Sequence, residues 1–230
     1  AAKHLNSPGT PKGHGFTEEH VERKHMYYST NVGKIKLIVI DSVNEFGGWQ
    51  GSLDVAQFEW LENEIKNSDR LVVLASHHPL SKMFNDYAPT GKRVCVEEIT
   101  KMLLKYPRVI AWFAGHEHRH HVAWIGSEIE EKGFWQIETA SHADWPQQSR
   151  TIEIVQSGNG EIFIALTVID HAAGTTYDSA QTPIEMAALS RVISANVWQK
   201  RDALGAKHPA DWAMGAPHER NTVLRLSARS

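Results

Sequence analysis

Two short histidine clusters carry the most specific chemical signal in this chain. Ser76-His77-His78-Pro79 follows the wholly apolar run Leu71-Val72-Val73-Leu74-Ala75, and Gly115-His116-Glu117-His118 follows Val109-Ile110-Ala111-Trp112-Phe113-Ala114. A neutral imidazole offers one in-plane lone pair, and several imidazoles aimed at one point make a metal site. Such a site suits zinc, iron, nickel or copper, and manganese where carboxylates help. In a locally extended Gly-His-x-His segment the two rings, two residues apart, project from the same side. The glycine permits a tight turn and close backbone approach. A lone histidine is ordinarily a surface or satisfied core residue. Two clusters, each just past the carboxyl end of a buried strand, shift the reading toward ligation, because open α/β sheets place their ligand sites there. His77, His116 and His118 are the candidate ligands, His78 reads either way, and His120 and His121 read as a supporting layer or surface.

The elements that must position these clusters follow from periodicity. Residues 35–41 turn continuously apolar, as a strand buried on both faces does, and residues 25–30 precede them as a second strand across an Asn31-Val32-Gly33-Lys34 hairpin signal. After a glycine-rich loop at residues 46–51, Ser52 is placed to cap a helix with Leu53, Ala56, Trp60, Leu61 and Ile65 on one face. A helix over residues 94–106 aligns Val96, Ile99, Leu103 and Tyr106 and is stopped by Pro107. Strand, helix, strand, helix, strand over residues 35–114 predicts an α/β layer of parallel strands. Beyond it, runs at 121–125, 133–139, 151–156 and 161–169 predict an antiparallel sheet. A late helix opens at Thr182-Pro183-Ile184-Glu185, with a cap, a proline at the first helical position and an acid at the third, and runs to about residue 198. Residues 200–220 read as loop and 222–226 as a closing edge strand. The first 24 residues read as one long loop, a kind of segment that is often functional.

Composition bounds the function classes. With 24 Lys and Arg against 27 Asp and Glu and no basic run, the chain has no sustained nucleic-acid footprint, so no nucleic-acid partner is expected. A phosphate-bearing ligand has to be attracted locally. The single cysteine, Cys95, allows neither an internal disulfide nor a thiolate zinc cluster. No apolar stretch approaches the roughly 20 residues a membrane helix needs, and no membrane partner is expected. The start, Ala1-Ala2-Lys3-His4, has neither methionine nor an apolar leader, and reads as the inside of a longer protein. Compartment and oligomeric state leave no trace in the sequence.

The pair Ala75-Ser76-His77-His78-Pro79 and Ala114-Gly115-His116-Glu117-His118, in that order with a helix between, resembles the last two blocks of the calcineurin-like metallophosphoesterases. Residues 40–43 and the loop 48–53 resemble that superfamily's middle region. Residues 139–150 (Thr-Ala-Ser-His-Ala-Asp-Trp-Pro-Gln-Gln-Ser-Arg) and Gly13-His14-Gly15-Phe16 are similar to an uncharacterised bacterial subgroup, and the likeness covers about residues 8–226. The resemblance implies an α/β, two-layer β-sandwich flanked by helices. It also implies two divalent or trivalent metal ions (Mn, Fe or Zn), with His77 and His116 on one and His118 on the other, and hydrolysis of a small phosphate mono- or diester. The family's earlier Asp-x-His, Gly-Asp-x-x-Asp and Gly-Asn-His blocks are not in this chain, and Asp41 followed by Ser-Val does not replace the bridging aspartate. The expectation is therefore one incomplete domain lacking its N-terminal half and inactive by itself. Its parts are a loop at 1–24, an α/β part at 25–115, an antiparallel sheet at 116–170 and a C-terminal helix and tail at 171–230. His14, His78, His142 and Asp144 are the candidate substrate-pocket residues, and no catalytic acid or base is assigned.

Two other readings compete. Three histidines alone make a mononuclear zinc site with an open position, hydrolytic or structural. A non-catalytic fragment that binds metal or a partner through its sheet is the third class.

Overall fold

The computed structural model describes residues 17–23, 25–127, 132–170, 174, 182–195 and 209–229. It divides into two compact units, residues 1–110 and 111–230. His14 lies outside the described residues, as does the stretch from 196 to 208 into which the late helix was expected to run.

The first unit is built on a sheet of β1 (Tyr28–Val32), β2 (Ile35–Val39) and β4 (Leu71–Ala75), with α1 (Glu18–Arg23) before it, where the sequence reads only loop. β1 and β2 form the expected hairpin, with Val32 opposite Ile35 and Gly33 at φ +58°, a backbone state that glycine adopts without a Cβ penalty. β2 and β4 run parallel from Ile35 opposite Leu71 to Val39 opposite Ala75. Ile38, Val72 and Leu74 are fully buried, as continuous apolar strands should be.

Helix α2 (Val55–Lys66) starts two residues later than Ser52 suggests, because β3 (Leu53–Asp54) intervenes and pairs with β5 (Arg93–Val94). Asp54 is the cap, its carboxylate accepting from the Gln57 amide at 2.7 Å. Ser52 instead accepts from buried Arg93, side chain to side chain at 2.9 Å. The buried stripe is Gln57, Leu61 and Ile65, a helical i, i+4, i+8 row, and Ala56 faces out. Gln57 reads the backbone of Asp41, donating to its carbonyl and accepting from its amide, each at 2.8 Å, and so fixes the chain leaving β2. On the outer face Glu64 joins the helix to the hairpin, taking Lys36 at 2.6 Å and the Ser29 hydroxyl at 2.6 Å. Burial alone would raise this carboxyl's pKa, but the bonds from Lys36 and Ser29 outweigh it and the pKa falls below the ordinary value. Helix α3 (Val96–Leu103) buries Ile99, Met102 and Leu103.

The second unit corrects one expectation. Strands β7 (His121–Ser127) and β8 (Lys132–Glu138) do not form one antiparallel sheet with β9 (Ser149–Gln156) and β10 (Ile162–Ile169). β8 pairs in parallel with β6 (Val109–Ala114), Ala111 opposite Trp135, and β7 pairs antiparallel on the far side of β8. β9, β10 and β11 (Thr222–Leu226) make a separate antiparallel sheet with β11 at its edge, as expected. Alternating side chains reveal a half-buried strand but not its partner. The Trp135 indole donates to the Arg225 carbonyl at 3.2 Å, tying the two sheets of this unit. Helix α4 (Pro183–Ser194) has the anticipated capping box between Thr182 and Glu185. Residues 209–220, read as loop, contain two short helices, α5 (Pro209–Met214) and α6 (Pro217–Arg220). The mixed α/β architecture is as expected. Among the described residues, no helix is long and apolar enough to cross a membrane.

Candidate metal centre

At the end of β4 the chain turns sharply, with the Ser76 hydroxyl donating to the His78 carbonyl at 2.6 Å. The two neighbouring imidazoles then part company. His77 is exposed; His78 is buried, its ring nearly perpendicular to that of His77 at a centroid distance of 4.8 Å. His78 Nε2 lies 3.0 Å from the Trp49 carbonyl, which can only accept, so the ring proton sits on Nε2. Nδ1 then accepts from the Ser42 hydroxyl at 2.8 Å, and the Ser42 oxygen in turn accepts from the His78 amide at 3.2 Å. Burial, assisted by the charge of neighbouring His77, depresses the pKa of His78, with the Trp49 carbonyl opposing, and the ring stays neutral. Both nitrogens of His78, a candidate pocket residue, are thus engaged by the protein, and the geometry gives it the job of fixing the loop that carries His77. The glycine-rich loop closes on this ring. A Cβ on Gly51 would sit 2.8 Å from His78 Cγ and 2.6 Å from Met83 Sδ, so only glycine fits unshifted.

In the second unit, β6 ends in a different kind of turn. The Glu117 amide donates to the Gly115 carbonyl at 2.8 Å around His116 at φ +66°, a γ-turn, and His118 is left-handed as well, at φ +54°. The segment is therefore not extended, as the His-x-His spacing alone suggests, but doubly bent. Non-glycine residues pay for left-handed backbone, and such strain concentrates at functional sites. His118 Nδ1 meets Asp144 Oδ2 at 2.5 Å, and the carboxylate acceptor places the proton on Nδ1 and leaves the Nε2 lone pair for a ligand. Asp144 is itself held. The Ser141 hydroxyl oxygen accepts from the Ala143 amide at 2.9 Å and the Asp144 amide at 3.3 Å, and the Asp144 carbonyl accepts from the Gln147 amide at 2.9 Å. His142, on the same loop, is exposed, engages the Ser149 hydroxyl through Nε2 at 2.7 Å, and lines an open cleft of about 460 Å³ with Gln147, Asp170 and Ser190.

Behind this turn lies a buried polar layer. His120, fully buried, accepts from Arg150 at Nδ1 (2.9 Å) and faces Gln148 Oε1 from Nε2 at 3.2 Å. Burial, then the Arg150 charge, pulls its pKa down to about 4. Arg150 also donates to the Glu219 carbonyl at 2.6 Å, and His121 pairs with the Glu219 carboxylate. Glu138, at the end of β8, is 1% exposed; burial raises its pKa against the pull of Arg119, 3.6 Å away. Glu138 and Glu219 carry no motif, and Arg150, though it closes the 139–150 stretch, is not singled out by the sequence.

Set beside known proteins, residues 8–120, just under half of the chain, match the calcineurin-like phosphoesterase family. The match takes in both histidine turns, His77-His78 and Gly115-His116-Glu117-His118. A particular relative is the Arabidopsis thaliana protein named "Probable purple acid phosphatase 20", 33% identical over 107 residues, which are 45% of this chain and 24% of the relative. The match thus spans about a quarter of that relative's length. A dimetal phosphatase from Danio rerio superposes with a TM-score of 0.45 at 13% identity, over 65% of this chain and 59% of that one.

Proposed function

We propose that His77, His116 and His118 hold the metal ions of a phosphoesterase that hydrolyses small phosphate mono- or diesters. The observation that carries this reading is the His118–Asp144 pair at 2.5 Å, set in a turn strained at both His116 and His118. A carboxylate that fixes the tautomer and aim of an imidazole is the common outer partner of a metal-bound histidine, and strained backbone is kept where a side chain must point one way. The donor set fits. Imidazole alone suits Zn and Fe, and Mn with carboxylate help. When bound, paired ions supply an activated water and offset charge on phosphoryl oxygens. The chain's own part is to hold and orient. His78 locks the turn bearing His77, Asp144 aims His118, and His142, beside its open cleft, is our candidate for contacting the ester.

Three imidazoles are few for two ions that take about four to six ligands each. We therefore expect weak binding and near-background hydrolysis by these 230 residues alone. Equilibrium dialysis against Mn and Zn tests the assignment. Binding lost in both His77→Ala and His116→Ala supports it, and binding unchanged in either variant overturns it. One ion per chain instead of two selects the mononuclear alternative. Strong, histidine-dependent turnover of an aryl phosphodiester by the chain as given would refute the expected inactivity.

A further inference from the structure

The first unit leaves large aromatic side chains in solvent on a frame that is anything but loose. Trp49 is 59% exposed and Phe84 45%, their rings at right angles with centroids 6.2 Å apart, and Lys82 Nζ lies 5.7 Å from the Trp49 ring centre. The loops that carry them are stitched together by two buried asparagines. Asn85 donates to the Gly47 carbonyl at 2.8 Å and accepts from the Tyr87 amide at 3.2 Å. Asn44 donates to the Tyr87 carbonyl at 2.9 Å and accepts from the Phe46 amide at 3.1 Å. Backbone bonds from Gly51 to Lys82 (2.8 Å) and from Asn85 to Gly51 (3.0 Å) close the frame. Gly47 and Gly48 turn at φ +103° and +91°, and a Cβ at Gly48 would meet Asn85 Nδ2 at 2.6 Å.

Apolar rings held out in water by so many fixed bonds have their ordering cost already met, which is what a binding surface needs. The position of this surface is also fixed. The carbonyl of Trp49 is the acceptor for His78 Nε2–H, so the aromatic loop is registered to the strand end that presents His77.

We infer that Trp49 and Phe84, with Lys82 beside them, form a subsite for the planar aromatic ring of an anionic phosphate ester's leaving group. The inference rests on the phosphoesterase reading for its substrate class. Perpendicular rings accept a third ring in offset or edge-to-face contact, geometries an aliphatic chain cannot exploit, and the ammonium of Lys82 favours a ring attached to a negative group. A nucleobase and a simple aryl group share this chemistry.

Ligand-observed NMR on the full chain in metal-free buffer tests the subsite without any turnover. Adenosine and phenyl phosphate are the ring-bearing probes, and ribose 5-phosphate is the ring-free control. Both ring probes should bind, and Trp49→Ala should weaken them about tenfold, the usual worth of one stacked ring. Trp49→Phe should recover most of the loss, while ribose 5-phosphate should not respond to either change. Adenosine bound more tightly than phenyl phosphate identifies a nucleobase, and the reverse a simple aryl group. Equal binding of ring-bearing and ring-free probes overturns the inference, as does indifference to Trp49→Ala. So does self-association that Trp49→Ala abolishes while no ring probe binds. Because adenosine carries no phosphate and no metal is present, ring binding that survives His116→Ala separates a failure of the metal reading from a failure of this one.

Discussion

The two histidine turns are held by opposite physical means. After β4 the backbone at His77 stays out of the left-handed region, and a neighbouring residue, His78, is spent as an anchor, both of its nitrogens bonded to Ser42 and Trp49. After β6 the device is different. The chain bends through left-handed φ at His116 and His118, and a carboxylate 26 positions on, Asp144, sets the ring. One turn is held by side-chain bonds and relaxed; the other is held from a distance and strained. Candidate ligands can thus be fixed by spending a residue or by spending backbone energy, and the two choices respond differently to mutation.

The largest expected effect separates strain from ligation. His116→Gly should abolish metal binding while raising the melting free energy of the metal-free chain by about 1 kcal/mol, the cost of a left-handed non-glycine residue. His77→Gly should lose metal binding with no such gain, and calorimetry of both variants without metal would show equal behaviour if the contrast is unreal. Next is the distant partner. Asp144→Asn keeps the shape but weakens the acceptor for His118 Nδ1–H, and metal affinity should drop about 10- to 100-fold, as for other outer-layer partners. Unchanged affinity would leave Asp144 as a loop residue only.

A smaller effect sharpens the relaxed side. Gly51→Ala drives a methyl group into His78 and Met83, and should cost about 1–3 kcal/mol in denaturant midpoint analysis, with the amide signal of His77 shifting as the anchor moves. The smallest concerns Glu64, on the bond network between α2 and the hairpin. Its depressed pKa means that its stabilisation is present above the unfolded carboxyl value and fades as pH falls through the folded one. Glu64→Gln should cost about 1 kcal/mol at pH 7, and the gap to the parent should shrink below about pH 4.5. A gap that is constant with pH would mean packing, not charge, is responsible.

What the sequence makes legible tracks how local each cause is. β4 and β6 are visible as continuous apolar runs because both faces are buried, whereas in β2 only Ile38 is buried and the apolar run overstates its burial; the Thr182–Glu185 box is visible because its partners lie three residues apart. The start of α2 is ambiguous in sequence, since Ser52 and Asp54 are both cap types, and Arg93, 41 residues away, decides which is free to cap. The pairing of β8 with β6 depends on long-range burial that alternation does not encode. In the candidate site, the histidines are legible through type and spacing. The bonds of Ser42 to His78 and of Asp144 to His118 join residues 36 and 26 positions apart, and only the fold brings them together.

The loop around Trp49 separates the parts that hold from the parts that are shown. Ser42, Asn44, Gly51 and Asn85 make the bonds and are buried, whereas Val43, Trp49, Phe84 and Tyr87 stand in solvent. The displayed residues can therefore be exchanged by drift or by library selection without disturbing the frame, and the histidine turn it supports is insulated from that exchange. Randomising positions 43, 49, 84 and 87 gives a compact search space for altering what the inferred ring subsite binds while the frame stays constant.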